Sequence, residues 1–242
     1  MSGMTLNVEE CTNIDSLREI ASQGGFSCCQ NCPRHPDNGN PVFAEGCPKH
    51  QTKRSPIILF VFRDPSSPQR KGVIGCSTDG RVCGWCHTDT SANIFRERLY
   101  PLIEKSFPEA RVNEEGRYPI YCINAVLHGP KRNTSPPRKA VKACSHILKA
   151  YVRLLKPKLV VAVGIDARIS VEYAFGLHNL EKASSPLYKD GIAFWWSYHH
   201  SGRSFNLRRK EIEQRFREIG EFLSMYHFLL NDKNSEIEFQ ND

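Results

Sequence analysis

The chain has 242 residues, a length that suits one domain with a full hydrophobic core. Its 33 basic and 26 acidic residues give a formal net charge of +7, which is compatible with a polyanionic partner such as nucleic acid but does not require one. The apolar runs are about six residues long at most, far short of the roughly 20 residues that span a bilayer, so a membrane-spanning protein is excluded.

The expected compartment bears on how the cysteines are interpreted. The first ten residues, MSGMTLNVEE, contain no basic stretch followed by an apolar core, so we expect a cytoplasmic, monomeric protein without a secretory signal. The ten cysteines are many for such a reducing compartment, where structural disulfides are rare. Several of them are separated by only two residues, and that spacing favours metal binding over disulfides.

The Cys-rich segment 26–54 carries a spacing typical of a zinc site. The pattern runs Cys29-x2-Cys32-x14-Cys47-x2-His50. Three thiolates and one imidazole form a closed tetrahedral ligand set, so we predict a structural zinc ion and no organic cofactor. Cys28 and His35 are alternative ligands within the same segment.

Apolar segments bounded by turn-forming residues predict four strands along the chain. They lie at 57–62, at 118–124, in the first half of 157–176, and at 191–198. Helical patterns alternate with these strands and are found at 14–21, on both sides of Pro101, within 136–155, in the second half of 157–176, and at 204–230.

This alternation predicts an α/β fold with three layers, in which helices cover both faces of a central, mostly parallel four-stranded sheet. We expect residues 55–230 to form this α/β domain. We expect residues 1–54 to form a Cys-rich, metal-bound segment that packs on the domain, and the polar residues 231–242 to form a disordered tail.

Polar side chains follow three of the predicted strands. They are Asp64, Asn124 and His199. Alone, Asp64 suits a turn aspartate that accepts hydrogen bonds from its own loop. Ligands of open α/β sheets, however, bind at the carboxyl ends of the strands. A carboxylate, an amide and an imidazole at one sheet edge could position water, bind a polar ring edge and stabilise a leaving anion.

Four stretches resemble motifs of the uracil-DNA glycosylase superfamily, in particular its family 4 branch. They are FVFRDPSS, YCINAVLHGPKRNTSPPRKAVKACSHIL, LKPKLVVAVGIDARISV and SYHHSGRSF. The second keeps the family's separation of twenty residues between the base-binding Asn124 and Cys144. The resemblance covers roughly residues 55–228, with the motifs in the family's order.

The resemblance implies a monofunctional DNA glycosylase that flips a pyrimidine from DNA and hydrolyses its N-glycosidic bond, leaving an abasic site. Asp64 would stabilise the sugar cation and orient water, and Asn124 would bind the pyrimidine edge. His199, in its neutral form, would donate a hydrogen bond to the anionic base. Because His200 replaces the proline usual in the last motif, the sequence leaves open which histidine faces the base.

Other positions concern the choice of base and the contact with DNA. Ser66 takes the place of a tyrosine that excludes 5-methyl groups in strict uracil enzymes, so a 5-modified pyrimidine, for example in phage DNA, is an alternative substrate. Trp85 is near the position of an aromatic side chain that stacks on the base, although a core tryptophan is equally compatible. Arg203 would fill the gap left by the flipped base or contact a phosphate. Asp89 is an alternative carboxylate.

Family 4 members hold a 4Fe–4S cluster through four cysteines, and the resemblance transfers that site onto a second ligand set. This alternative set is Cys29, Cys32, His128 and Cys144. Histidine is an unusual ligand for such a cluster, so zinc in the segment 26–54 remains the first expectation. A zinc-containing DNA-binding protein without catalytic activity is the remaining alternative.

Overall fold

A computed structural model of the chain describes residues 6–38, 43–45, 56–64, 90–129 and 134–231. Its centre is a six-stranded sheet in the order β1-β3-β2-β4-β6-β5. The strands are β1 (Phe43–Glu45), β2 (Ile58–Phe62), β3 (Ile120–His128), β4 (Leu159–Val163), β5 (Leu187–Lys189) and β6 (Ile192–Ser197).

The four inner strands, β3, β2, β4 and β6, are parallel and form the predicted four-stranded sheet. Every residue of β2, β3 and β4 is buried, as expected for parallel strands that are covered on both faces. The short strands β1 and β5 pair antiparallel at the two edges and extend the sheet to six strands. Three residues are too few to carry an alternating pattern, so the sequence does not predict these edge strands.

Helices cover both faces of the sheet, which confirms the three-layer α/β arrangement. They are α1 (Ile14–Gln23), α2 (Thr90–Ile94), α3 (Tyr100–Ser106), α4 (Arg138–Leu155), α5 (Ile165–Phe175) and α6 (Gly202–Asn231). One core contains α1, α4 and α5, and the other contains α3 and α6. Within the described residues, no helix is long and apolar enough to cross a membrane.

Two helical regions contain irregular turns. A π-helical turn, Phe95–Leu99, joins α2 to α3, whose first turn contains Pro101. Proline has no N–H to donate to the preceding turn, so the helix cannot continue through it with regular hydrogen bonds. The closing helix, predicted as one regular element, is interrupted at Arg208, where φ is −128° and ψ is 27°.

The N-terminal segment packs as a short helical layer on α4. Helix α1 is capped at its start by Asn13, whose side chain accepts a hydrogen bond from the Ser16 N–H, and ends at Gly24 in the left-handed conformation. Arg153 of α4 donates to the backbone carbonyls of Glu9 and Cys11, at 2.9 and 2.7 Å. The segment is therefore attached to the α/β domain by an arginine as well as by apolar packing.

Candidate functional site

The carboxyl ends of β2, β4 and β6 lie at one edge of the sheet because these strands are parallel neighbours. Asp64 lies two residues after β2, Gly164 directly follows β4, and His199 lies two residues after β6. This edge, where ligands of open α/β sheets bind, is the candidate site.

Asn124 does not follow a strand end, so that prediction was wrong. Strand β3 continues to His128 because its second half pairs with β1, which the sequence did not predict. Asn124 nevertheless lies opposite Phe62, the last residue of β2, and is buried. The amide is therefore level with the end of β2, close to the edge where the prediction placed it.

Asp64 forms ion pairs with two arginines and is enclosed by its surroundings. Its side chain is 0% exposed, and Oδ1 accepts a hydrogen bond from Arg63 Nε at 2.6 Å. Arg34 Nη2 lies 3.8 Å from Oδ2. Burial raises the pKa of Asp64, and the nearby positive charges of Arg63 and Arg34 oppose that rise. To meet a substrate, this carboxylate must first lose part of its cover.

Asp166, in the first turn of α5, is a further acidic group that the sequence analysis missed. It interacts electrostatically with Asp64 and with Arg63, and its own pKa is raised by burial and lowered by Arg138 and Arg63. Asp166 lies two residues after Gly164, at the carboxyl end of a predicted strand, so the sequence could have indicated it as a site residue. The site thus combines two carboxylates with several arginines.

His199 is positioned by the turn between β4 and α5. Gly164 adopts φ +95°, and a Cβ at this position would lie 3.0 Å from the His199 Cβ. The backbone N–H of Ser201 donates to His199 Nδ1 at 3.1 Å. Because Nδ1 acts as the acceptor, the neutral ring carries its proton on Nε2. The local backbone therefore selects the tautomer whose Nε2–H can donate to a ligand.

The two consecutive histidines have different surroundings. The His200 ring is buried at 3% exposure and contacts the rings of Phe62 and Phe95, with centroids 5.5 and 5.6 Å away. His199 is half-buried, and its ring is stacked on that of His200 at 5.5 Å. This arrangement favours His199 as the group that faces a substrate and His200 as its packed support.

An open cleft of about 320 Å³ lies beside the histidine motif. Its wall includes Asn93 and Arg98 from the α2–α3 region and Gly202 and Phe205 from the start of α6. Arg203, the second residue of α6, is exposed next to it. Three predicted positions, Ser66, Trp85 and Asp89, lie outside the described residues.

The thiols of the N-terminal segment approach α4. Cys144 donates a hydrogen bond to the Cys32 sulfur, an interaction that lowers the pKa of Cys32 to about 6. Cys29 interacts electrostatically with both. His128, the fourth member of the cluster-type set, instead has its Nε2 at 3.2 Å from the Ser22 carbonyl oxygen.

The cluster-type set lies wholly within the described residues, whereas the zinc set lies only partly within them. Within the part of the chain that the structure describes, no three His, Cys, Asp or Glu side chains are arranged to hold a metal ion. Cys47 and His50 of the predicted zinc set lie outside the described residues. The zinc set and the cluster-type set both remain predictions.

Comparisons with known proteins agree with this architecture. The family model of the uracil DNA glycosylase superfamily matches residues 73–223, a region that contains Asn124 and His199 and begins after Asp64. A type-4 uracil-DNA glycosylase of Thermotoga maritima is 25% identical over 153 residues, which are 63% of this chain and 65% of that protein. A type-4 uracil-DNA glycosylase of Sulfurisphaera tokodaii is 24% identical over 220 residues, which are 86% of this chain and 85% of that protein.

The alignment to the Thermotoga protein thus spans a little less than two thirds of that relative's length, while the Sulfurisphaera protein is matched over most of its length. The family match covers more than half of this chain, including the parallel sheet beyond β2 and the histidine motif. The chain belongs to the uracil-DNA glycosylase superfamily.

Proposed function

We propose that this protein is a monofunctional DNA glycosylase that flips a pyrimidine, uracil or a related base, out of DNA and hydrolyses its N-glycosidic bond. The observation that carries the proposal is that Asp64, Asn124 and His199 all lie towards one end of the parallel sheet. Family membership and a net charge of +7 support DNA as the partner, bound by a single copy of the chain.

In the proposed reaction, the bond between C1′ of the sugar and the base nitrogen breaks, and its electron pair leaves with the base. The sugar becomes a cation, a water oxygen adds to C1′, and one proton of that water passes to solvent. The base anion takes up one proton from solvent, so that the products are a C1′ hydroxyl and the neutral free base. His199 donates its Nε2–H to the oxygen on which the negative charge of the base develops. A preorganised donor of this kind is worth roughly 3–4 kcal/mol of the barrier.

The carboxylate of Asp64 stabilises the sugar cation and orients the water in this proposal. Its pair with Arg63 has to open first, since the side chain is fully enclosed. Arg63 is 32% exposed and can exchange the carboxylate for a phosphate of the bound DNA, which also accepts charge-assisted hydrogen bonds from arginine. DNA binding would then uncover the acid that it needs.

Asn124 supplies specificity in this proposal. An amide offers one acceptor and two donors, so it can pair with the edge of uracil, and the opposite orientation suits cytosine. Arg203 lies exposed at the start of α6 and either fills the gap left by the flipped base or contacts a phosphate.

The test is an excision assay on duplex and single-stranded DNA that carries one uracil, one thymine mismatch, hypoxanthine or a 5-modified cytosine. Abasic sites are detected by alkaline cleavage. The proposal predicts release of at least one pyrimidine by the wild-type protein and retention of hypoxanthine. DNA binding without release of any base would instead favour the inactive DNA-binding alternative.

A second candidate differs only in the base. A serine at position 66, where the strict uracil enzymes carry a tyrosine, leaves room at C5 of a pyrimidine, so a 5-modified base is physically admissible. Release of 5-modified cytosine but not of uracil would establish this candidate, and a role in defence against modified phage DNA would become the working interpretation. Release of uracil alone would eliminate it.

We also propose a structural zinc ion in the Cys-rich segment. The support is the spacing Cys29-x2-Cys32-x14-Cys47-x2-His50 in the sequence. The contact between Cys32 and Cys144 belongs to the alternative, cluster-type set. Metal analysis of protein purified without oxygen should find zinc. Iron with acid-labile sulfide would instead support the cluster, and a metal-free folded protein would contradict both.

A further inference from the structure

Arg34 is a buried arginine that no part of the proposed reaction has used. It belongs to the N-terminal segment and is 5% exposed. Its Nη2 donates to the backbone carbonyl of Thr134 at 3.1 Å and to that of Ser135 at 3.4 Å. The same nitrogen lies 3.8 Å from Asp64 Oδ2. One guanidinium therefore joins the N-terminal segment, the end of β2 and the residues before α4.

The two carboxylate oxygens of Asp64 have different hydrogen bonding. Oδ1 accepts the short hydrogen bond from Arg63, whereas Oδ2 is buried and has no hydrogen-bond partner among the described residues. At 3.8 Å, Arg34 faces Oδ2 as a charge and not as a hydrogen-bond donor. Because the two side chains are only 6% and 0% exposed, solvent screens this attraction weakly.

We propose that Arg34 is a positioning residue of the excision reaction, which acts through Asp64 by supplying the fixed positive charge opposite its second carboxylate oxygen. The inference rests on the proposed function, because it matters only if Asp64 works as an anion during catalysis. It adds a residue from the N-terminal segment to a site that the sequence placed wholly in the α/β domain.

The surroundings of Asp64 indicate why a second arginine is needed. Among the described residues, three charged groups act on this carboxylate: Arg63, which precedes it in the chain, Arg34 from the N-terminal segment, and Asp166 from α5. Burial and Asp166 raise the pKa of Asp64, while the two arginines lower it. If Arg63 leaves for a DNA phosphate, Arg34 is the cation that remains beside the acid among these groups.

Arg34 is suited to stay in place. Its guanidinium is anchored to two backbone carbonyls and is buried, whereas Arg63 is one-third exposed. The two arginines thus have different roles in this proposal. Arg63 leaves Asp64 when DNA binds, and Arg34 stays beside Asp64 as its counter-charge.

The experiment compares Arg34→Gln, which removes the charge but keeps N–H donors, with Arg34→Lys, which keeps the charge. Arg153→Gln is the matched control, because Arg153 also donates to two backbone carbonyls of the N-terminal segment but is not among the groups that face Asp64. The carboxyl carbon of Asp64 is titrated by NMR in each protein and assigned by its loss in Asp64→Asn.

We expect the pKa of Asp64 to rise in Arg34→Gln and to stay near the wild-type value in Arg34→Lys and Arg153→Gln. In single-turnover excision, Arg34→Gln should lose more activity at low pH than at high pH. The acidic limb of its pH–rate profile should therefore shift to higher pH. An unchanged Asp64 titration in Arg34→Gln would overturn the inference, as would an equal rise in Arg153→Gln.

The two proposals fail separately. If the wild-type protein releases no base, the proposed function is wrong, and the titration still decides whether Arg34 sets the charge of Asp64. If the wild-type protein is active and the acidic limb of Arg34→Gln coincides with that of the wild type, only the role of Arg34 is refuted. A general loss of folding would appear as a lowered Tm in Arg34→Gln and in Arg153→Gln alike.

Discussion

The two candidate catalytic groups, Asp64 and His199, differ in burial and in the contacts that hold them. Asp64 is fully enclosed and paired with two arginines, one of which comes from the N-terminal segment. His199 is half-buried, and a backbone N–H two residues away fixes its tautomer. The orientation of the imidazole is therefore set by a local turn, whereas the carboxylate is covered by ion pairs with two arginines.

In the free protein, the acid is thereby kept out of contact with water. The His199 side chain needs only a fixed orientation, and the hydrogen bond from the Ser201 N–H supplies it. The acid needs a counter-charge and a cover, and these require contacts between distant parts of the chain. Substitutions at four positions of the site weaken or exaggerate this contrast.

Replacing the prepared donor should have the largest effect. His199→Ala removes the Nε2–H, so we expect single-turnover excision to fall about 10²- to 10³-fold, with DNA affinity little changed. His146→Ala, at an exposed histidine of α4, is the control and should behave as the wild type. Equal activity of His199→Ala and the wild type would remove the imidazole from the mechanism.

Replacing the covered acid should have the next largest effect. Asp64→Asn keeps the shape but removes the anion, and we expect about 10²-fold slower excision. Since burial raises the pKa of Asp64, wild-type activity should fall with decreasing pH at a higher pH than an exposed aspartate would give. That acidic limb should be absent in Asp64→Asn. Its persistence would assign it to another group, and Asp166 is a candidate because it interacts electrostatically with Asp64.

Crowding the turn beneath the imidazole should have a moderate effect. Gly164→Ala introduces strain at φ +95° and a Cβ 3.0 Å from His199, so we expect about 1–3 kcal/mol of destabilisation in urea and slower excision. Gly116→Ala is a matched control, because Gly116 has φ +72° and open space around its Cβ position. Both variants should lose stability, but only Gly164→Ala should lose activity. Equal activities would show that the His199 position is insensitive to this turn.

The smallest effect is expected at the rim of the site. Arg203→Ala should weaken DNA binding uniformly across sequences and reduce the salt dependence of the affinity by about one counterion if the side chain contacts a phosphate. Slower excision from duplex DNA with unchanged excision from single strands would assign Arg203 to the gap left by the flipped base. Binding and rates equal to those of the wild type would exclude both roles.

The sequence predicts the central sheet and most helices because continuous apolar strands and amphipathic helices leave strong periodic signals. It also predicts the neighbourhood of Asp64 and His199, since both follow parallel strands. The position of Asn124 was less well predicted, because the extension of β3 depends on β1, a three-residue partner distant in sequence.

The arginines around Asp64 could not be predicted in the same way. Arg34 is a single basic residue in a loop rich in cysteine and proline, with no periodic pattern to place it. Its contacts with Asp64 and with residues 134 and 135 arise only when three distant segments pack together. Local patterns do not encode such contacts, and family motifs that start at the first strand do not include them.

The central claim is that the ends of these strands close around one extruded nucleotide. Its most direct test is the structure of the protein bound to duplex DNA that carries a 2′-fluorinated, hydrolysis-resistant deoxyuridine or 5-modified deoxycytidine. The account predicts a base outside the helix, within hydrogen-bond distance of Asn124 and His199 Nε2, with Arg63 turned from Asp64 towards a phosphate. A base that stays stacked, or that binds away from these side chains, would contradict it.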